Sequence, residues 1–581
     1  MADSVALDGE PSIEHLEAFY AAIDRSQLTR QLSPGTPYVY WTMELYDASN
    51  GLKGMGGLGV LAADTRRVAE RLDVPMVVVT PFYPSELHQV VKNGTQTEVT
   101  MEKSPEDYGF ARRCDVHIRT ARRPDTTLAI YEKSCGSTRF VCMSEPGFGM
   151  LYDGDLSGDH RLYQNVASGF GGYQALKAMN ICPAVIQLNE TATIFAAVAR
   201  LDELVSHGGM NLHEAIVYVR KSTLYTNHTL LQAAESEFSL AQFKKFVYPN
   251  IASRAVKKWL GGLFRDGTLR SSTLAIELTE LKNGVSQLHA RVAEFYDLDG
   301  QRVTFHTVTN GIDMPTWVLP ETYAYLQNAA IVDRFGLISD DYREKIDSIQ
   351  PRHLRELKRI GRREMNHVLA GRRDQYGQPV SIPESAIVFD FKRRFANYKR
   401  PYMAFEDVAE LTDILVNADA HYILAGKVHP GDTAMYAKLH ALLATIDHDP
   451  VLRARVHYIE DYDESVGRAL ALGSDCAINV PVVGLEACGT SWEKDIANLK
   501  LLISTADGGV ADVSPATYLE VTGENYAEET ASLYAQMRRA ASLLRDDEQL
   551  SKAVRRQLVA YLPVISGARM LRDYLHYLFT K

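Results

Sequence analysis

The chain has 581 residues and a mass of 64.8 kDa, which is more than a single hydrophobic core supports. Its composition, 46% hydrophobic and 23% charged, excludes a fibrous or largely disordered chain. The net charge of −11 argues against nonspecific binding to nucleic acid or to an anionic membrane surface. Any anionic substrate must therefore meet a local basic site.

The chain has no run of about 18 apolar residues, and its acidic N-terminus lacks the pattern of a signal peptide. The cysteines show neither C-x-x-C spacing nor a companion histidine cluster, so we expect reduced thiols, a cytoplasmic protein and no metal site. They are Cys114, Cys135, Cys142, Cys182, Cys476 and Cys488.

Strand-like and helix-like segments alternate along the chain, which is typical of an α/β fold with parallel sheets. A glycine-rich loop precedes helical periodicity at residues 61–72, and residues 321–373 are helical and highly charged. Strands are predicted at residues 38–45, 75–80, 184–189, 222–226, 302–309, 386–391, 421–425, 456–459 and 476–480.

This pattern predicts two doubly wound, Rossmann-like domains that face a cleft. We expect an N-terminal domain at residues 1–318, a C-terminal domain at residues 319–581 and a hinge near residues 310–320. The last helix is expected to pack back on the N-terminal domain. In such sheets, ligands bind at the carboxyl ends of the strands.

The glycine loop Gly54-Met-Gly-Gly-Leu-Gly59 lies between a predicted strand and a predicted helix. Its backbone N–H groups can approach an anion at the start of that helix. A tight turn that needs glycine only for its backbone geometry is an equal alternative.

A run of five cations, from Lys392 to Arg400, directly follows a predicted strand. Such a run is usually a solvated face. At the carboxyl end of a strand in an acidic protein it instead favours a phosphate site, because arginine binds phosphate in bidentate fashion.

The third segment runs from Leu485 to Asn498 and contains Gly489-Thr490 ahead of a helical stretch with Lys494. The glycine and threonine offer a further anion site at a helix start. Lys494 is either a surface lysine or a nucleophile that forms a Schiff base, and the spacing does not decide between them.

Together these segments resemble the α-glucan phosphorylases (of glycogen, starch and maltodextrin), in their short microbial branch. The resemblance holds in order and spacing from about Tyr38 to Gly509. It rests on the segments Gly56–Ala62, Gln187–Glu190, Tyr225–Thr229, Thr309–Ile312, Pro315–Trp317, Arg393–Arg400, Ala425–Pro430, Ile459–Tyr462 and Glu486–Thr490. It implies the two-domain GT-B fold and a hexosyltransferase that uses pyridoxal 5′-phosphate.

The resemblance also implies residue roles at the cofactor. Lys494 matches the lysine that carries pyridoxal phosphate. The other cofactor positions hold its phosphate or surround its ring: Gly489, Thr490 and Arg393 for the phosphate, and Tyr46, Trp317 and Tyr462 for the ring.

On the substrate side, Arg394, Lys399 and the backbone of Gly57 match groups that hold inorganic phosphate. Asn310 and Glu486 match contacts to sugar hydroxyls, and His228 matches a residue near the reacting sugar. In this family the cofactor's phosphate exchanges a proton with inorganic phosphate. The latter protonates the glycosidic oxygen and attacks the anomeric carbon with retention.

Four positions depart from the family pattern. Glu493 replaces a methionine next to the cofactor lysine, and Ala497 replaces a larger apolar residue. Ala192 replaces a histidine, and Met55 stands where asparagine is frequent. The acceptor side is therefore altered, and we expect a preference for a short oligosaccharide or small glycoside over a polymer.

Three functions remain open. The first is a retaining glycan phosphorylase with carbohydrate and inorganic phosphate as partners. The second is a GT-B glycosyltransferase with another donor or a small acceptor, with or without pyridoxal phosphate. The third is a silent homologue that binds a sugar or a partner. The retained cations favour the first, and a homodimer is an open alternative to a monomer.

Overall fold

A computed structural model describes residues 32–579 of the chain apart from 53, 55, 93–94, 121–124, 152–156, 230–234, 430 and 514–515. The N-terminal stretch in which we expect no signal peptide, Met55 and Pro430 lie outside the described residues. The described residues divide into two units, which are treated separately below. Unit 1 holds the residues up to Glu86, Glu102–Val308 and those from Leu571 onwards; unit 2 holds Leu87–Met101 and Thr309–Met570.

The strands are β1 Tyr38–Thr42, β2 Met76–Pro81, β3 Ser85–Lys92, β4 Thr95–Glu102, β5 Ala111–Ile118, β6 Thr126–Cys135, β7 Thr138–Ser144, β8 Val185–Asn189, β9 Thr223–Asn227, β10 Glu237–Ser239, β11 Thr268–Arg270, β12 Leu281–Gly284, β13 His306–Thr307, β14 Ile387–Lys392, β15 Ala420–Ala425, β16 Val456–Ile459, β17 Cys476–Asn479, β18 Leu501–Ser504 and β19 Leu519–Glu520.

The α-helices are α1 Gly57–Arg71, α2 Asp159–Val166, α3 Gly172–Ala178, α4 Phe195–Ser206, α5 Leu212–Lys221, α6 Leu240–Gln242, α7 Arg254–Gly262, α8 Ser271–Leu278, α9 Gln287–Val292, α10 Met314–Trp317, α11 Pro320–Asn328, α12 Tyr342–Asp347, α13 Pro351–Leu369, α14 Val408–Asn417, α15 Thr433–His448, α16 Pro450–Arg455, α17 Glu464–Gly473, α18 Ser491–Ala497, α19 Tyr526–Leu544, α20 Asp547–Ile565 and α21 Gly567–Phe579. Ala167–Gly171 and Phe243–Val247 are π-helical. Short 3-10 turns occupy Ala48–Asn50, Pro105–Tyr108, Pro146–Phe148, Thr191–Thr193, Tyr248–Asn250, Asn397–Lys399, Met403–Phe405 and Gly508–Asp512.

Unit 1 is built on one large sheet, whose strand order among the described residues is β13-β12-β9-β8-β1-β2-β7-β6-β5. Its centre is β1, which pairs in parallel with β2 and β8. All five residues of β1 are buried. Aromatic and β-branched side chains suit a strand that is covered on both faces, which explains why this segment reads clearly from sequence.

Two parts of this sheet differ from the prediction. β6 pairs antiparallel with β5 on one side and with β7 on the other. The sheet is therefore mixed rather than parallel throughout. β5 alternates between exposed and buried residues, as an edge strand with one solvated face does. The strand expected at residues 302–309 is only β13, His306–Thr307, because it pairs with β12 alone at the sheet edge.

Unit 2 contains a sheet of order β16-β15-β14-β17-β18-β19, and every described neighbour pair in it is parallel. β14 is a central strand with six buried residues. The charged stretch predicted to be helical forms α11, α12 and α13. The α/β class with parallel-strand sheets, predicted from the alternating pattern, is confirmed. Among the described residues, no helix is both long and apolar enough to cross a bilayer.

Candidate active site

The cations that follow β14 do not act as one group. Lys392 is buried and pairs with Asp390 at 3.1 Å and with Asp495. Lys500 pairs with the same two carboxylates, at 2.5 and 2.7 Å. These four residues, called the buried quartet below, balance two positive charges with two negative ones.

Arg400 also has a structural role. It lies in the left-handed backbone region with φ of 54°. Its guanidinium donates to the carbonyls of Val480 at 2.7 Å and Pro481 at 3.0 Å, and it pairs with Glu529. The interpretation of all five cations as one phosphate clamp is therefore wrong for Lys392 and Arg400, because both are committed to partners within the fold.

The remaining cations surround Glu486. Its carboxylate accepts a hydrogen bond from Arg393 Nη2 at 2.8 Å and another from Lys399 Nζ. Burial alone would raise the pKa of Glu486, but Lys399, Arg393 and Arg394 together lower it to about 2. We call Arg393, Arg394, Lys399 and Glu486 the open cluster. Its three cations and one carboxylate leave an excess of positive charge.

Asp507 fixes the loop that carries Glu486. Its carboxylate accepts hydrogen bonds from the backbone N–H groups of Gly484, Leu485 and Glu486, at 3.0, 3.3 and 2.8 Å. It also accepts from Gly508 N–H at 2.8 Å. The loop is therefore held by one side chain at three points.

Gly489 lies directly against the open cluster. A Cβ atom at this position would lie 2.6 Å from Arg393 Nη2 and 3.2 Å from Glu486 Oε1, so a larger residue would displace the Arg393 side chain. Thr490 is buried and is the residue before α18. Arg393 Nη1 is buried and has no hydrogen-bond partner among the described residues. This donor set suits the phosphate of the cofactor that the sequence resemblance implies.

Lys494 lies on α18 with 7% of its surface exposed. Its Nζ is 3.3 Å from the centre of the Trp317 ring. The side-chain amide of Asn498 donates to the carbonyls of Lys494 and Trp317 at 2.8 and 2.9 Å, and so joins the two segments. Tyr462 follows the carboxyl end of β16, and a Cβ at Gly467 would lie 2.6 Å from its hydroxyl oxygen.

Asn310 and Glu493 both contact Cys488, which lies between Glu486 and Gly489 in the chain. Asn310 donates to the carbonyl of Cys488 at 3.0 Å, and its Oδ1 is buried without a hydrogen-bond partner in the described part of the chain. Glu493 is fully buried and accepts from Cys488 Sγ at 3.8 Å. The departure at Glu493 therefore places a buried carboxyl group one residue before Lys494.

In unit 1, the glycine loop folds against β1's end. Tyr46 is buried, and its N–H donates to the carbonyl of Gly59 at 2.8 Å. Gly57 begins α1, and a Cβ there would meet nothing within 4 Å. The first N–H groups of a helix have no partner within it, so this position is open to a polar ligand.

His228 follows β9, beside the end of β8. Its Nε2 lies 2.5 Å from Asn189 Oδ1, and its backbone N–H donates to Glu190 at 2.7 Å. Burial, with a smaller contribution from His289, lowers the pKa of His228 to about 3, so the ring is neutral. Ala192 lies in the 3-10 turn after β8.

Glu190, which contacts His228, is not among the site residues that the sequence predicted. It has φ of 74° and also accepts from Thr229 Oγ1 at 2.9 Å. Burial raises its pKa to about 7 although three hydrogen bonds oppose this. An acid directly after a buried strand was the available signal, but the backbone conformation is visible only in the fold.

Tyr46, Gly57 and His228 thus belong to unit 1 and the other predicted site residues to unit 2. Unit 2 brings together Arg393, Lys399, Glu486 and Gly489, and separately Lys494 with Trp317. No group of three or more potential metal ligands occurs within the described residues.

The cation cluster and the buried Lys494 lie near the carboxyl ends of parallel strands, which is where α/β sheets of this kind place their ligands. A family model described as carbohydrate phosphorylase matches residues 263–563, just over half of the chain. The chain therefore belongs to the carbohydrate phosphorylase family. This confirms the family resemblance seen in the sequence.

Curated relatives agree. Maltodextrin phosphorylase of Thermococcus litoralis is 28% identical over 81% of this chain, which spans 60% of that protein. Glycogen phosphorylase of Mycobacterium bovis is 28% identical over 93% of this chain and 70% of its own length. Glycogen phosphorylase of Aquifex aeolicus is 24% identical over 90% of this chain and 83% of its own.

Proposed function

We propose that the protein is a retaining glycan phosphorylase. It transfers a glycosyl unit from an oligosaccharide or small glycoside to inorganic phosphate and gives a sugar 1-phosphate, or runs the reverse reaction. The observation that carries this proposal is the open cluster, in which Arg393 and Lys399 are shared by one carboxylate next to Gly489. Family membership supports the reaction class.

Arg394 and Lys399 are the groups we propose to hold the reacting phosphate. Phosphate is a polyanion near neutral pH and competes with Glu486 for the same cations, to which it offers more acceptor oxygens. We expect Glu486 to turn from Lys399 toward sugar hydroxyls when phosphate binds. The excess positive charge then stabilises the phosphate as it attacks the anomeric carbon.

Pyridoxal phosphate is the cofactor we propose, and the Nη1 of Arg393, which has no hydrogen-bond partner in the described part of the chain, supports the fit. Lys494 would hold the cofactor covalently, Gly489, Thr490 and Arg393 would bind its phosphate, and Trp317, Tyr462 and Tyr46 would surround its ring. When bound, the cofactor supplies a phosphate group that relays a proton to and from the reacting phosphate. The protein's part is to keep both phosphates surrounded by cations and N–H donors.

We propose that Asn310, Glu486 and His228 bind the sugar and that the Gly57 N–H binds phosphate. His228 donates from Nε2 to Asn189, so its other ring nitrogen is left as an acceptor for a hydroxyl. A neutral imidazole adds no positive charge near the electron-poor anomeric carbon of the transition state. Glu190 positions this ring through the His228 backbone.

The proposed substrate is short, because Ala192 and Glu493 alter the residues expected on the acceptor side. The check is to compare phosphorolysis rates on glycogen, maltoheptaose and a panel of disaccharides. Glycogen as the best substrate would contradict the preference for short substrates while leaving the reaction class intact.

The reaction class is tested by the cofactor and by phosphate dependence. The purified protein should absorb as a bound pyridoxal, and borohydride reduction with peptide mapping should locate the label on Lys494. Lys494→Ala should lose the label, whereas Lys438→Ala, an exposed lysine of unit 2, should keep it. A colourless protein that cannot be reconstituted, or turnover that does not need phosphate, would instead favour a glycosyltransferase with another donor.

A further inference from the structure

Unit 2 contains a pocket of about 370 Å³ whose lining includes no residue of the open cluster or of the buried quartet. It is lined by the start of β18, the segment that leads into β19, and the facing sides of α19 and α20. Its volume is within the range of pockets that hold small-molecule ligands.

Three cations line this pocket: Arg539 on α19, and Lys552 and Arg556 on α20. None of them makes an ion pair or hydrogen bond with any residue that the structure describes. The neighbouring Arg538, by contrast, pairs with Glu410 and Asp413. One carboxylate, Glu520, also lines the pocket, so its charge is positive in a chain whose net charge is −11.

Two buried side-chain oxygens also line the pocket. Thr517 Oγ1 and Gln536 Oε1 are buried and have no hydrogen-bond partner within the described part of the chain. A buried polar atom without a partner destabilises the fold, which favours a ligand or water that satisfies it. The amide of Gln557, in contrast, is already used by Leu502 N–H and the Lys500 carbonyl.

The pocket is distinct from the open cluster. Leu501 is the first residue of β18, whereas Arg393 follows the last residue of β14 and Glu486 comes after the end of β17. These strands run parallel within one sheet. The start of β18 and the ends of β14 and β17 therefore lie at opposite edges of that sheet.

We propose that this pocket binds a small phosphorylated polyol, a molecule of the size and chemistry of a hexose phosphate. Arg539, Lys552 and Arg556 would bind the phosphate by charge-assisted hydrogen bonds. A hydroxyl group of the ligand would donate to Gln536 Oε1, and Thr517 would bind another. This binding site is additional to the proposed reaction and does not depend on it.

The experiment uses the full-length protein with Arg394→Ala, which weakens phosphate binding at the open cluster. Titration calorimetry with a hexose 6-phosphate should show binding. The further triple change R539Q/K552Q/R556Q should weaken it about tenfold or more. The matched triple change R359Q/R363Q/R453Q removes the same charge from exposed residues outside the pocket and should have no effect.

A second pocket variant and two comparison ligands test the same site. Ala553→Glu, which places a carboxylate among the pocket residues, should also abolish binding while the protein keeps its circular dichroism and thermal midpoint. Inorganic phosphate and the neutral hexose should each bind more weakly than the hexose 6-phosphate. Equal binding by the pocket triple variant and its control, or no binding by the parent protein at millimolar ligand, would overturn the proposal. Equal affinity for inorganic phosphate would overturn its polyol part.

Discussion

The buried quartet and the open cluster are neighbours in sequence but are built differently. Lys392 belongs to the quartet, in which two lysines and two aspartates neutralise one another in the interior. The next residue, Arg393, belongs to the open cluster, in which cations outnumber carboxylates and one guanidinium nitrogen has no hydrogen-bond partner among the residues that the structure describes. Balanced charge marks a structural network, and excess charge marks a place where a ligand completes the balance.

Breaking the quartet should have the largest effect on stability. Lys500→Met removes one of two cations that neutralise Asp390 and Asp495, so the free energy of unfolding should fall by about 3–5 kcal/mol. Urea denaturation measures this change. Lys438→Met, at an exposed position, should alter it by less than about 0.5 kcal/mol. A similar small change for Lys500→Met would show that the quartet is not a structural unit.

Arg394→Ala should leave the fold intact and affect the reaction. Losing one charge-assisted contact to phosphate should cost about 2–4 kcal/mol of transition-state stabilisation, measured as kcat/KM for phosphate. Arg453→Ala is the exposed control. Unchanged phosphate kinetics with normal sugar turnover would remove Arg394 from the site.

Acidification should lower the free energy of unfolding through Glu486 of the open cluster. The cations lower the pKa of Glu486 to about 2, so its ionised form stabilises the fold above the unfolded value of about 4.3. This contribution, about 1–3 kcal/mol, is lost as the pH falls from about 4.3 to about 2. The free energy of unfolding of the parent protein should therefore decline relative to Glu486→Gln in that window. Parallel pH profiles would contradict the pairing.

Gly489→Ala should have the smallest effect of the four. The added methyl group would lie 2.6 Å from Arg393 Nη2 and push that side chain aside, at a cost of about 1–2 kcal/mol. Retention of pyridoxal phosphate during dialysis should decrease accordingly. Gly262→Ala, where a Cβ would meet nothing within 4 Å, is the control. Equal retention by both variants would show that the cluster tolerates displacement of Arg393.

The sequence predicted the central strands well and the charged network poorly. β16 has the predicted bounds, and β14 and β17 differ from theirs by one residue at an end or at each end. β14 and β17 lie inside the sheet and all their residues are buried, which gives the nearly continuous apolar pattern that predicts a strand. Ten strands were not predicted, namely β3–β7, β10–β12, β18 and β19. Among them, β5 has the alternating burial pattern of an exposed edge strand.

The partners of the cations could not be read from the sequence. Lys392 meets Asp495 across 103 positions, and Arg400 meets the Val480 carbonyl across 80. No feature of the neighbouring sequence distinguishes Lys392 and Arg400 from Arg393 and Lys399. Family resemblance named Arg393, Arg394 and Lys399, whereas charge and spacing alone grouped all five. Tertiary contact decides which cation is available to a ligand.

The four hydrogen bonds to Asp507 have a kinetic consequence. Because one carboxylate already holds Gly484, Leu485, Glu486 and Gly508, the loop does not need to be ordered when a ligand arrives. The entropy cost of ordering this loop is incurred on folding rather than on binding. Anion capture should then follow a single fast phase whose rate rises linearly with concentration, and the four backbone amides should exchange slowly with deuterium even in the ligand-free protein.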